Sequence, residues 1–236
     1  AMHIALGRTL ETDITGDLMP AVVARWLEAK AGDWSSKTAA DMARLAARLS
    51  EEMDQLRPGD VTTPLAARYL KLFRDTPRTH NQHRTMLSQV MAFAAIEGLR
   101  EGHNPVANIP PMATGKRVRI VTDAEVTALK AAALQQSRNG EALVQMIDLA
   151  MLTGQRISDV IGLRWQDVTD GGVMVQQGKT GARLLIEWSP ALRAAVAACE
   201  GGRDRIGHLL KTQSGTGYRY AGIRSAWDRA CVRAGI

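Results

Sequence analysis

Arg156 stands at a break between two apolar runs, in MLTGQRISDVIGLRWQDV (residues 151–168), with Asp159 three positions further on. Gly154 can end the preceding helix by turning left-handed. Ser158 can cap the next helix, which leaves Asp159 in its first turn, where a carboxylate suits the helix dipole. An arginine in so tight a corner is costly unless it has a partner or faces a cleft. Two readings fit: an Arg156–Asp159 pair bracing the corner, or a guanidinium held ready for an anion. A second cation, Lys179, lies in GKTG between the strand-like runs GVMVQQ and ARLLIEW, at the tip of an expected hairpin. A third group, His80, Asn81 and Arg84, starts a helix whose outer face is polar, and either solvation or contact with a partner explains it.

The elements that must position these residues fall into two sets. The first half reads as four capped helices. Asp17 precedes the periodic run from Leu18 to Ala31, which stops at Gly32. A Ser cap precedes KTAADMARLAARLSEEM, with Met42, Leu45, Ala46 and Leu49 on one face. Thr63 is placed as a cap with Pro64 at the first helical position. Thr79 and Gln82 stand in capping-box register for a helix with the apolar stripe Leu87, Val90, Met91 and Ala94. Its opposite stripe is His80, Arg84 and Ser88, with Asn81 and Thr85 alongside.

NPVANIPPMATGKRVRI then interrupts regular structure with three prolines and a glycine, and Lys116, Arg117 and Arg119 make it basic. Such a segment suits a strap along a phosphate backbone. Beyond it, Thr122 and Glu125 form a capping box, and EALVQMIDLAML, apolar nearly all round, predicts a buried central helix. Ser189 and Pro190 start another helix after the hairpin. The expected boundaries are an extension at 1–16, a helical domain at 17–108, a basic linker at 109–120 and a second domain at 121–236. The expected fold class is mainly α: a small helical domain, then an α+β domain with a small β-hairpin or sheet.

Composition narrows the partners. The 236 residues are 45% hydrophobic and 23% charged, with a net charge of +6, which favours a polyanion such as nucleic acid. From Gly201 to Ile236 there are seven Lys or Arg against two Asp. Two cysteines, Cys199 and Cys231, make neither a disulfide framework nor a zinc spacing. No metal site or cofactor is expected, no run approaches a transmembrane length, and the cytoplasm is the expected compartment.

LTGQRISDVIGLRW resembles the first arginine box of the tyrosine recombinases, the phage integrase family, in Thr153, Gly154, Arg156, Asp159, Leu163 and Trp165. GKTGARLLIEW resembles that family's β-hairpin with its lysine, and TDAEVTAL the opening of its catalytic domain. The segment from about Ala21 to EGHNPVANI, closing on Asn104 and Pro105, resembles the SAM-like core-binding domain. The resemblance implies two domains closing on DNA as a C-shaped clamp, and a tyrosine attacking a phosphodiester to leave a 3′-phosphotyrosine and a 5′-hydroxyl. It implies duplex DNA bearing attachment or core sites, a homotetramer in synapsis, accessory DNA-bending or excision factors, and a bacterial host's nucleoid. Arg156 becomes the charge clamp, Asp159 its support and Lys179 a general acid. His80, Asn81, Arg84, Lys116, Arg117 and Arg119 become DNA contacts.

The family pattern continues with H-x-x-R and a nucleophilic tyrosine, which these residues do not contain. HLLK at His208 lacks the arginine and comes too early, and Tyr69, Tyr218 and Tyr220 all precede the expected place. None is assigned as nucleophile. The catalytic domain is therefore expected to be truncated and inactive by itself, and residues 1–16 are too few for an arm-binding domain. The alternative function is a catalytically inactive DNA-binding regulator. A helical-repeat scaffold finds no period to support it.

Overall fold

The computed structural model describes residues 18–115, 118–201 and 204–236. The chain divides into two compact units, with the division between residues 117 and 118. The described residues are mainly helical, with one small antiparallel sheet among them.

The first unit contains α1 (Met19–Lys30), α2 (Ser36–Glu52), α3 (Thr63–Lys71) and α4 (Pro77–Ile96). α1 buries Met19, Val22, Val23 and Trp26 at helical spacing, and α2 buries Leu45, Ala46 and Leu49. α4 supplies Met86, Leu87, Val90, Met91 and Ala94 to the same core. Ser35 caps α2 by accepting from the Thr38 amide at 3.3 Å. Asp17 lies outside the described residues. Two expected starts shift. Thr63 is the first residue of α3 rather than its cap. α4 begins at Pro77, two residues before the Thr79 expected as its cap. Proline is favoured in a first helical turn, where its missing N–H costs nothing, and that preference outweighs the Thr79–Gln82 box.

The stripe of α4 expected to face outward is partly covered, with Thr85 beside it left exposed. After α4 the chain runs back along that helix. Asn104 donates from Nδ2 to the Ser88 carbonyl at 2.8 Å and its Oδ1 accepts from the Val106 amide at 3.0 Å. Arg84 donates from Nε to the Ile109 carbonyl. Asn81 donates to the Met112 carbonyl at 2.8 Å and accepts from the Met112 amide at 2.8 Å. The exposed positions of α4 in this region are Arg78, Gln82, Thr85 and Gln89.

Beneath α4, His83 is 3% exposed, hydrogen-bonded through Nδ1 to the Tyr69 hydroxyl at 2.6 Å and stacked on Phe73 at 3.9 Å. Burial, with Arg48 and Arg44 nearby, pushes its pKa down to about 4. The unfolded chain then takes up a proton near the ordinary imidazole value, while the folded chain refuses it until about pH 4. Stability is full above about pH 6.5 and should fall by on the order of 2–3 kcal/mol as pH drops toward 4. Melting curves between pH 7 and pH 4 should show this loss, much reduced in His83→Gln. An equal loss in that variant would move the origin to other groups.

The second unit contains α5 (Asp123–Leu134), α6 (Gly140–Thr153), α7 (Ile157–Gly162), α8 (Pro190–Ala198) and α9 (Tyr220–Ala234). Its sheet is β1 (Val168–Thr169), β2 (Gly172–Gln176) and β3 (Arg183–Glu187), paired antiparallel in that order. The Thr122–Glu125 capping box forms in both directions. α6 packs against α5, α8 and α9 and buries Leu143, Met146, Ile147 and Leu149. It is not buried all round, because its last turn leaves Met151 58% exposed and Leu152 39% exposed. β2 turns Val173 and Val175 inward, and Val173 pairs with Ile186. At Gly172 a Cβ would collide with the Ile186 carbonyl, so only glycine lets β3 approach there. α9 buries Ile223, Ala226 and Ala230 against α5, α6 and α7.

Candidate active site

The corner around Arg156 is built by the backbone. Gly154 ends α6 at φ +65°, its amide donating to the Ala150 carbonyl at 2.9 Å. Arg156 itself, at φ −66° and ψ 148°, takes the position before α7 expected of Ser158, and Ser158 lies inside the helix. The Arg156 carbonyl accepts from the Asp159 and Val160 amides at 2.9 and 3.0 Å. Past the other end of α7 a later segment is tied in, the Trp165 amide donating to the Gly207 carbonyl and the Leu209 amide to the Leu163 carbonyl, both at 2.9 Å.

The two charged side chains differ in exposure. Asp159 is 5% exposed and Arg156 47%, with Arg156 Nη1 3.9 Å from Asp159 Oδ2. That separation is an ion pair and too long for a hydrogen bond. Among the described residues, Oδ2 is a buried atom without a hydrogen-bond partner. Oδ1 accepts from the Gly178 amide at 3.0 Å. One carboxylate thus faces the Arg156 guanidinium and anchors the hairpin that carries Lys179. A half-exposed guanidinium whose donors are not spent on its neighbour can present two parallel N–H groups to a phosphate. Lys179 is exposed at the hairpin tip and makes no ion pair among the described residues.

The other expected residues lie elsewhere. In the first unit, Asn81 and Arg84 hold the returning chain, and His80 is 7% exposed with Nδ1 beside Asn81 Oδ1 at 3.3 Å. Arg119 pairs with Glu125, whose carboxyl is held low first by the Thr122 amide and then by Arg119. Lys116 and Arg117 lie outside the described residues. Tyr69 packs in the first unit's core. The Tyr218 hydroxyl donates to Asn139 at 3.3 Å, beside the start of α6, and that helix is about 20 Å long, with Thr153 at its far end. His208 packs where a Cβ on Gly217 would overlap its ring, and burial lowers its pKa. No group of three or more His, Cys, Asp or Glu among the described residues is placed to hold a metal. Sequence reasoning missed Gln155, Gln177 and Thr180, which join the corner to the hairpin. Their only signal was adjacency to the two motifs.

Two family models match this chain: the phage integrase central domain over residues 20–109, and the phage integrase family over residues 119–236. The chain belongs to the phage integrase family, the tyrosine recombinases. The integrase of enterobacteria phage 434 is 30% identical over 132 residues, 54% of this chain and 35% of that protein. The integrase of Escherichia phage HK022 is 35% identical over 92 residues, 38% of this chain and 25% of that protein. The chain therefore spans about a third or less of the curated relatives it matches. Among solved structures, a lambda integrase dimer bound to a COC′ core site matches with TM-score 0.83 at 22% identity, covering 92% of this chain and 78% of that one. A lambda integrase tetramer bound to a Holliday junction matches at TM-score 0.84 and 20% identity, covering 96% and 69%. The Tn1549 transposon integrase, in complex with circular intermediate DNA, matches at 0.73 and 14%, covering 92% and 78%. At these identities the solved structures establish the fold.

Proposed function

We propose that the protein breaks and rejoins duplex DNA at a specific site, integrating or excising a phage or related element through a 3′-phosphotyrosine intermediate. The observation that carries this is the corner at Asp159, which sets a half-exposed Arg156 beside the anchored Lys179 hairpin. Phosphoryl transfer concentrates charge on the non-bridging oxygens, and a fixed guanidinium donates to them at any working pH. Lys179 gives its proton to the departing 5′-oxygen as the P–O5′ bond breaks and the tyrosine–phosphorus bond forms. Asp159 holds both in place. Tyr69, Tyr218 and Tyr220 are not assigned as the nucleophile.

Duplex DNA is the partner this reading requires. The related lambda protein has been solved as a tetramer on a Holliday junction, which supports a homotetramer in synapsis here. A bacterial cytoplasm, where the DNA lies, is the matching compartment; no described helix is long and apolar enough to cross a membrane.

Covalent trapping tests the reading. A nicked duplex carrying the core site, recovered by selection from random sequence, is incubated with the protein as its whole reading frame encodes it. The short 5′-hydroxyl strand diffuses away, and a protein–DNA band should survive denaturing electrophoresis. Tight, sequence-selective binding without any such band would favour a DNA-binding regulator on the same fold.

A further inference from the structure

The loop carrying Lys179 lies on the surface. Residues 178 to 185 are all exposed, and Gly181 turns at φ +71°. Backbone bonds close the turn on itself, the Gln177 amide donating to the Ala182 carbonyl and the Gly181 amide to the Gln177 carbonyl, both at 2.8 Å, and a run of side-chain hydrogen bonds ties that turn to the rest of the unit. The Thr180 hydroxyl donates to Gln177 Oε1 at 2.7 Å, so the residues on either side of Lys179's glycine–lysine tip converge on one amide. Gln177 Nε2 donates to Gln155 Oε1 at 2.8 Å, and Gln155 Nε2 donates to the Thr153 carbonyl at 3.0 Å. The Thr153 hydroxyl in turn donates to the Leu149 carbonyl at 2.6 Å, inside α6. Both ends of each glutamine amide are thereby used, and the run passes from the buried helix, across the residue beside Arg156, to the hairpin tip.

We infer that Gln155, Gln177 and Thr180 form a latch that positions Lys179 against the Arg156 corner, a role that rests on the general-acid reading of Lys179. Asp159 restrains the loop at Gly178 alone. The turn's own backbone bonds fix its shape but not its place, and the glutamine run gives it a second tie to the Arg156 corner besides the Asp159–Gly178 bond. A general acid works only within hydrogen-bond reach of the atom it protonates, so a loop that pivots costs rate while leaving the lysine's chemistry intact. Gln155 and Gln177 are positioning residues and touch no reacting atom.

The test uses the cleaving protein as its whole reading frame encodes it, with Gln155→Ala, Gln177→Ala and Lys179→Ala compared on two substrates. On the ordinary phosphodiester, each glutamine variant should cleave roughly 10- to 100-fold more slowly with unchanged DNA affinity. On a substrate with a 5′-bridging sulfur, whose leaving group needs no proton, all three variants should recover most of the lost rate. Adding Gln177→Ala to Lys179→Ala should slow the ordinary substrate no further, because both act at one step. Amide exchange at Gly178 and Gly181 should quicken in the glutamine variants while their melting temperatures hold, which separates a released latch from a failed fold. If sulfur rescues Lys179→Ala and not Gln177→Ala, the latch is overturned and the general acid stands. If sulfur rescues none of them, the general-acid reading falls and the latch with it.

Discussion

Arg156→Ala should lower DNA cleavage by at least about 100- to 1,000-fold, the loss seen when one fixed oxyanion donor is removed from an active site. DNA affinity should change little, since in the proposed role one phosphate contact among many is lost and the guanidinium acts chiefly on charge that develops in the transition state. Arg156→Lys should recover part of the rate, because it keeps the charge and loses the paired N–H geometry. The competing account is a brace for the corner. Asp159 is buried and its Oδ2 faces Arg156 at 3.9 Å, so deleting the arginine leaves that carboxylate without its cation. If bracing were the main role, Arg156→Ala would lower the melting temperature and cleavage would fall only with the folded fraction. Single-turnover cleavage under conditions where both proteins are fully folded decides between them.

How much of this was legible in the sequence depends on where the determining physics lies. Capping and glycine signals are local, so the Thr122–Glu125 box, the Ser35 and Ser189 caps and the left-handed Gly154 were readable from a few residues. The hairpin was readable for the same reason, whereas β1, only two residues long, carries no pattern of its own. The exposed last turn of α6 was not readable, because apolar residues on every face cannot say which neighbour is absent. The polar stripe of α4 shows the limit most clearly. Asn81, Arg84 and Ser88 are hydrophilic at helical spacing, as a solvated or DNA-facing surface would be. Their partners, Met112, Ile109 and Asn104, are backbone and side-chain groups 16 to 31 residues away. Periodicity separates apolar from polar faces and says nothing of whether a polar face meets water or returning chain. Arg156, Asp159 and Lys179 could be named together only through the family pattern; the contacts of Asp159 with Arg156 and with the Gly178 amide, and the glutamine run beside them, depend on the fold.

DNA binding should weaken by about 1,000-fold or more between 50 and 200 mM salt if six or more phosphates are engaged, and the slope of that dependence assigns the basic residues. Lys116, Arg117 and Arg119 belong to the linker whose beginning is held on α4. Replacing all three by alanine should reduce the slope of log affinity against log salt by roughly two, with sequence preference unchanged. Three full phosphate contacts would give more, but Arg119 must first exchange its ion pair with Glu125 for a phosphate. Asn81→Ala and Arg84→Ala should behave differently. Both side chains grip the Ile109–Met112 backbone, so their loss should lower affinity by freeing the linker, which must then be ordered on binding. No counterion release is lost with that clasp, so the salt slope should stay where it was. Tryptic cleavage after Lys116, Arg117 or Arg119 should quicken in the same two variants without DNA. A slope reduced by about 0.9 in Arg84→Ala would instead place that guanidinium on a phosphate, as its residue type first suggested. A wild-type affinity indifferent to salt would remove the phosphate-tracking linker altogether, because no neutral contact can imitate the release of condensed ions.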